Sequence, residues 1–126
     1  MRYQLVLLFS FLLWLLPPLA APAAQPAPEA EIARLIAVLG HSGCAFERNG
    51  SWYDAAKAKA HLQDKYDYLR KRGLADTTEH FIEQAASNSS LSGKPYHVRC
   101  PGEPVQPSAD WFRRQLRDLR TTAVGD

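Results

Sequence analysis

Lys57, His61 and Lys65 follow one another at intervals of four, with Tyr68 three residues beyond Lys65. In a helix that spacing places the three basic groups on one face. Like charges at i and i+4 repel by roughly a few tenths of a kcal/mol, so such a stripe favours an anionic counterpart. One reading is a carboxylate or phosphate ligand held by Lys57, His61 and Lys65. The other is a solvated face neutralised by Asp54 and Asp64, or by Glu79 or Glu83 from the next helix. A second constellation, Ser92-x-Lys94, could pair a hydroxyl with a basic amine. A lysine must be desolvated to release its proton, and Ser87–Lys94 reads as an exposed loop whose hydroxyls satisfy backbone groups. The chain has no G-x-S-x-G elbow, no S-x-x-K motif and no Asp-supported His. No catalytic residue is assigned, and a small hydrolase using the Ser/Lys loop is the alternative of a different class.

His41-x-x-Cys44 and His97-x-x-Cys100 repeat one spacing and could together form a Cys2His2 metal site. In a strand, however, His97 and Cys100 are three apart and point to opposite faces. An even pair of cysteines in an exported chain is read as a disulfide, Cys44–Cys100, with no metal and no cofactor. Arg113, Arg117 and Arg120 share a face of the last helix, which could touch anionic lipid or an acidic partner. The competing reading is a snorkelling, solvated side diluted by Asp110 and Asp118. Arg70-Lys71-Arg72 falls at a helix C-terminus, where cations complement the dipole.

These residues must be positioned by a small fold. The chain has 126 residues, 46% of them hydrophobic, with 15 basic against 13 acidic side chains. That length allows one domain, the aromatic content excludes wholesale disorder, and the near-neutral balance with export excludes a nucleic-acid binder. Arg2 precedes an apolar run from Leu5 to Leu16, too short for the ~20 residues that span a bilayer. Pro17-Pro18 and small alanines follow, the layout of a secretory signal peptide cleaved after Ala23. Residues 1–23 are thus read as an export signal, 24–28 as a Pro/Ala linker, and 29–126 as one periplasmic domain.

Within that domain, Ile32, Leu35, Ile36 and Leu39 mark a helix closed by Gly40. Cys44–Arg48 reads as a strand stopped by Asn49-Gly50. Trp52–Arg72 reads as a long helix entered through Ser51 and Asp54, with an inward stripe of Ala55, Ala58, Leu62, Tyr66 and Leu69. Asp76 with Glu79 resembles a capping box for a third helix. Tyr96–Cys100 is a second strand, Pro101–Pro107 a Pro-rich connector, and Ser108 the cap of a last helix bearing Phe112, Leu116 and Leu119. The expected class is α+β, mostly α: four helices with one two-stranded antiparallel ribbon. With Cys44 opposite Cys100, Phe46 meets Val98, Arg48 meets Tyr96, and Glu47 faces His97. The Asn49-Gly50 turn and the Gly93-Lys94-Pro95 loop then converge.

Phe46-x-Arg48-Asn49-Gly50, Tyr53 and His61-Leu62-x-x-Lys65 resemble the first half of the YfeK-like family of small exported bacterial proteins. Thr78-x-x-Phe81-Ile82, the run Ala86–Tyr96 and Trp111–Leu116 are similar to its second half. The resemblance covers residues 30–120, and Cys44 and Cys100 depart from its pattern. It implies fold and export, and no activity. Ser92-Gly93-Lys94-Pro95-Tyr96 also matches S-G-x-x-Y, similar to a loop of some periplasmic lysozyme inhibitors. Those inhibitors are β-barrels, unlike the helical pattern here.

The sequence therefore points to a monomeric periplasmic module that binds an envelope protein or an anionic ligand. An inhibitor or immunity-like protein against a cell-wall hydrolase is the alternative. The expected surface gathers Arg48, Asn49, Ser92, Lys94 and Tyr96, bordered by His61 and Lys65. A shallow polar patch would favour binding, and a pocket with paired titratable groups would favour catalysis.

Overall fold

A computed structural model describes residues 16–19 and 27–125. Most of the expected signal peptide, its cleavage after Ala23 and most of the linker lie outside the described residues. The first helix, α1 (Pro28–His41), begins with a proline at N1, where the missing N–H is no loss, and carries Glu29 and Glu31 in its first turn. It buries Ile32, Leu35, Ile36 and Leu39. Gly40 is not its cap. The helix runs past it to Ser42, whose N–H and hydroxyl both donate to the Leu39 carbonyl. Gly40 instead lets α2 approach: a Cβ there would fall 2.7 Å from Cδ of Lys59.

The ribbon has four strands, not two. β1 (Ala45–Arg48) turns through Asn49-Gly50 into β2 (Ser51–Tyr53), a pairing absent from the expected fold. Asn49 and Gly50 take φ of 50° and 85°, the left-handed geometry that tight two-residue hairpins require. Trp52 and Tyr53, expected to lead the long helix, suit a strand by type, and the turn commits them to one. The helix α2 (Ala55–Arg70) starts only after Asp54, whose carboxylate accepts from the Lys57 N–H at 2.8 Å.

β3 (His97–Arg99) pairs antiparallel with β1 in the expected register, Phe46 opposite Val98 and Glu47 opposite His97. β4 (Gln106–Pro107) adds to its far side, giving the order β2-β1-β3-β4. Pro107 is tolerated because β4 is an edge. Cys44 and Cys100, one residue outside the paired segment, form a disulfide.

α3 (Thr78–Ala85) is capped by Thr77, whose hydroxyl accepts from the His80 N–H, and not by Asp76. α4 (Ser108–Val124) follows β4 without a loop, so Pro107 occupies the cap position. Ser108 is its first helical residue. Its N–H donates to the Tyr96 carbonyl at 2.9 Å, while its buried hydroxyl has no partner among the described residues. The helices enclose one core that includes Phe46, Leu62, Phe81, Tyr96, Val98 and Phe112. The class is α+β, mostly α. Among the described residues no helix is long and apolar enough to cross a membrane.

Candidate anion-binding site

Three elements bring the basic residues together. Arg48 ends β1, Tyr96 lies immediately before β3, and His61 with Lys65 occupy successive turns of α2. Tyr96 is fixed by packing: it is 2% exposed, its ring 5.3 Å from that of Phe46, and its N–H donates to the Ser87 carbonyl. Lys65 reaches across to it. The Lys65 ammonium donates to the Tyr96 hydroxyl and to the Asn88 carbonyl, both at 3.1 Å. Nη1 of Arg48 lies 2.9 Å from both ring nitrogens of His61. The guanidinium thus donates to whichever ring nitrogen of His61 carries no proton.

Arg48, Asn49, His61, Asp64, Lys65, Tyr68, Ser89, Ser90, Leu91 and Tyr96 line one cavity of about 380 Å³. Its charged lining is two cations, Arg48 and Lys65, and one carboxylate, Asp64. Among the described residues, no carboxylate lies within ion-pair distance of Arg48 or Lys65. Burial, then the Arg48 charge, pulls the Lys65 ammonium below the ordinary lysine range. Burial also lowers His61, helped by Arg48 and Lys65 against a small opposing effect of Asp64, so the imidazole is neutral at pH 7. Burial raises the Tyr96 phenol, which keeps its proton. Two cations, a phenol and a neutral imidazole thus share one concave surface with a single carboxylate, Asp64, an arrangement with an excess of positive charge.

Residues 26–120 match the model of a family described as "Family of unknown function (DUF5329)". The chain belongs to that family. A relative, "Uncharacterized protein YfeK" of Salmonella typhimurium, is 45% identical over 51 residues. That match spans 40% of this chain and 41% of the relative, so the chain covers less than half of the curated protein it matches. No solved structure matches.

The loop of this DUF5329 domain that closes the cavity holds its shape through Ser89. The Ser89 hydroxyl, on a residue only 5% exposed, accepts from the Asn49 amide at 3.1 Å and from the N–H groups of Leu91 and Ser92. Ser92 donates to Oδ1 of Asn49, which ties the loop to the hairpin turn. The two turns therefore converge as the strand pairing requires, but the expected surface needs two corrections. Ser92 supports the cavity through Asn49 without lining it, and Lys94 stands exposed outside the lining. Lys57 opens onto a neighbouring cavity instead. Tyr68 continues the α2 stripe into the cavity, whereas the sequence gives no sign of Ser89 and Leu91 as lining residues. A serine that anchors a turn looks in sequence like its neighbours Ser87, Ser90 and Ser92. The S-G-x-x-Y loop is not displayed as a unit either, because its tyrosine is in the core.

Among the remaining basic residues of the DUF5329 domain, Arg70, Arg113 and Arg120 meet carboxylates. Arg120 turns inward from the α4 face to Glu31, with Nε and Nη2 at 3.0 and 2.8 Å from the two carboxylate oxygens, and it also meets Glu79. That leaves Arg113 and Arg117 as the exposed members, Arg113 beside Asp110 at 3.5 Å. Glu79, a candidate neutraliser of the α2 stripe, is thereby committed elsewhere. His97 bonds Glu47 at 2.8 Å, and Cys44 is joined to Cys100, so the two His-x-x-Cys pairs do not converge on a metal site.

Proposed function

We propose that this domain is a non-enzymatic, exported binding module that grips a phosphate group carried by a component of the cell envelope. The observation that carries the reading is the pair Arg48 and Lys65, converging on one cavity with no carboxylate partner among the described residues. With Asp64 as the one carboxylate in the lining, the two cations leave the cavity with an excess of positive charge that an anion would balance. Arg48 presents a donor fork, and Lys65 keeps one N–H beyond the two it spends on Asn88 and Tyr96. The cavity is concave, but its titratable groups are not paired as acid and base. His61 is bonded by the Arg48 guanidinium and has no carboxylate orienting it, and the Ser92 hydroxyl is spent on Asn49. The disulfide suits an oxidising compartment, which supports export to the periplasm.

Calorimetric titration of the mature protein with inorganic phosphate at low salt tests this. Saturable binding is expected, weakened about tenfold or more in each of Arg48→Ala and Lys65→Met, with melting temperatures close to wild type. Lys65→Met keeps the aliphatic stem and removes only the charge and donors. Absence of saturable phosphate binding, or binding indifferent to both substitutions, refutes the proposal.

A further inference from the structure

The cavity that gathers Arg48 and Lys65 also has apolar side chains in its lining that reach solvent. Leu91 is 96% exposed and Tyr68 56% exposed. Both are held by firm backbone. Tyr68 belongs to α2, and Leu91 stands in a turn closed twice over. The Ser89 N–H donates to the Lys94 carbonyl, and the Gly93 N–H to the Ser89 carbonyl, both at 2.9 Å. Inside that turn the Ser89 hydroxyl accepts from the Leu91 N–H, so a well-anchored backbone keeps a leucine side chain in water. A third cation joins them. Cζ of Arg72 lies 3.6 Å from the centre of the Tyr68 ring, and among the described residues no carboxylate lies within ion-pair distance of Arg72. Asp64 weakens the positive field of this face without reversing it, since Arg48, Lys65 and Arg72 outnumber it. Cations, an aromatic ring and an exposed leucine around an anion cavity are the side-chain types that suit a bilayer surface. Rings and guanidinium groups sit at headgroup level, and an aliphatic chain reaches the acyl boundary.

Resting on the phosphate reading of this cavity, we infer that the phosphate belongs to a membrane phospholipid, and that the domain docks on an anionic bilayer through the face carrying Leu91 and Tyr68. The phosphate of one lipid is held by Arg48 and Lys65. Leu91 enters the boundary between headgroups and acyl chains, and Tyr68 with Arg72 lies among the headgroups. A soluble phosphate would use the cations and leave Leu91 and Tyr68 in water. A bilayer uses both, because apolar burial and attraction to anionic lipid add in the same contact.

The test measures co-sedimentation of the mature protein with phosphatidylglycerol vesicles and with phosphatidylcholine vesicles at low salt, beside calorimetry with inorganic phosphate. Wild type is expected to partition onto phosphatidylglycerol and far less onto phosphatidylcholine, whose surface carries no net charge. Leu91→Ser changes an exposed side chain and leaves the core alone. It is expected to weaken partition onto phosphatidylglycerol about fivefold or more, through lost apolar burial, while inorganic phosphate stays within about twofold of wild type. Lys65→Met is expected to weaken both. Phosphate binding without vesicle binding overturns the bilayer assignment, leaves the phosphate site standing and gives the cavity to a soluble phosphate. Vesicle binding that is indifferent to Leu91→Ser or to Lys65→Met, or equal on the two lipids, overturns it as well. If inorganic phosphate does not bind, both readings fall, whatever the vesicles do.

Discussion

Replacing Cys44 and Cys100 together by alanine is expected to lower unfolding stability by about 4 kcal/mol. The two residues are 56 apart in sequence, and the bridge joins chain segments that would otherwise move independently in the unfolded state. For a domain of this size the loss is a large fraction of a total in the range of about 5–15 kcal/mol. Alanine is the informative replacement. Both cysteines are buried, and serine would add the separate penalty of hydroxyls in an apolar setting. Urea unfolding of the wild type with and without reductant reads the same quantity without a substitution. A midpoint that reductant leaves in place would show that the bridge does not stabilise the fold. The proposed phosphate site provides an internal control, because Arg48 and Tyr96 lie at the opposite end of the β1/β3 pairing from the sulfurs.

Arg120→Ala is expected to cost about 3 kcal/mol or more, although the residue looks from sequence like one more surface arginine. Glu31 is the reason. Its side chain is 7% exposed, and both oxygens accept from one guanidinium, so removing Arg120 strands a buried carboxylate. Arg120→Lys recovers only part of the loss, because an ammonium cannot engage both oxygens in the fork geometry. The hydrogen bonds from Arg120 hold Glu31 and Glu79 below the ordinary glutamate range, and the His97 contact does the same for Glu47. A carboxyl whose folded pKa is depressed contributes stability that is fully present above the unfolded value of roughly 4.3. That contribution is lost as pH falls through the lower folded value. Wild-type melting temperature should therefore drop steeply below about pH 4.5, and Arg120→Ala should show a flatter acid limb. Parallel acid limbs in the two proteins would contradict the role given to this triad.

The strand register, the disulfide and the convergence of two turns are all consequences of local pattern plus one covalent constraint. Once Cys44 faces Cys100, Phe46 must meet Val98, and the alternation of strand side chains does the rest. The basic pair on α2 was equally legible, because His61 and Lys65 are bound to one face by helical spacing. What escaped depends on short-range competition and on tertiary partners. Trp52 and Tyr53 continue a helical stripe in one direction and a hairpin in the other, and only the Asn49-Gly50 turn decides between them. β4 is two residues long and ends in proline, which leaves almost no pattern to read. Gly40 has the profile of a helix terminator, yet it serves the contact with Lys59. The neighbouring cavity that Lys57 shares with Tyr53 was invisible for the same reason as β2: without the hairpin, Tyr53 has no reason to lie beside Arg48. Arg120 and Glu31 are 89 residues apart, and nothing local links them.

The strand order has a kinetic consequence. β2 and β1 belong to residues 45–53, β3 and β4 to residues 97–107, and α2 and α3 must be made between them. The central β1/β3 contact closes a loop of some fifty residues, and such non-local pairings form late because chain entropy opposes them until much else is in place. Arg48 is delivered by the first segment and Tyr96 by the second. The cavity is therefore expected to form late in assembly. A chain interrupted between Tyr68 and Pro95 would separate Tyr96 from Arg48 and Lys65. Ligand binding would then serve as a real-time signal for completed folding, rising with the slowest phase and not with helix formation.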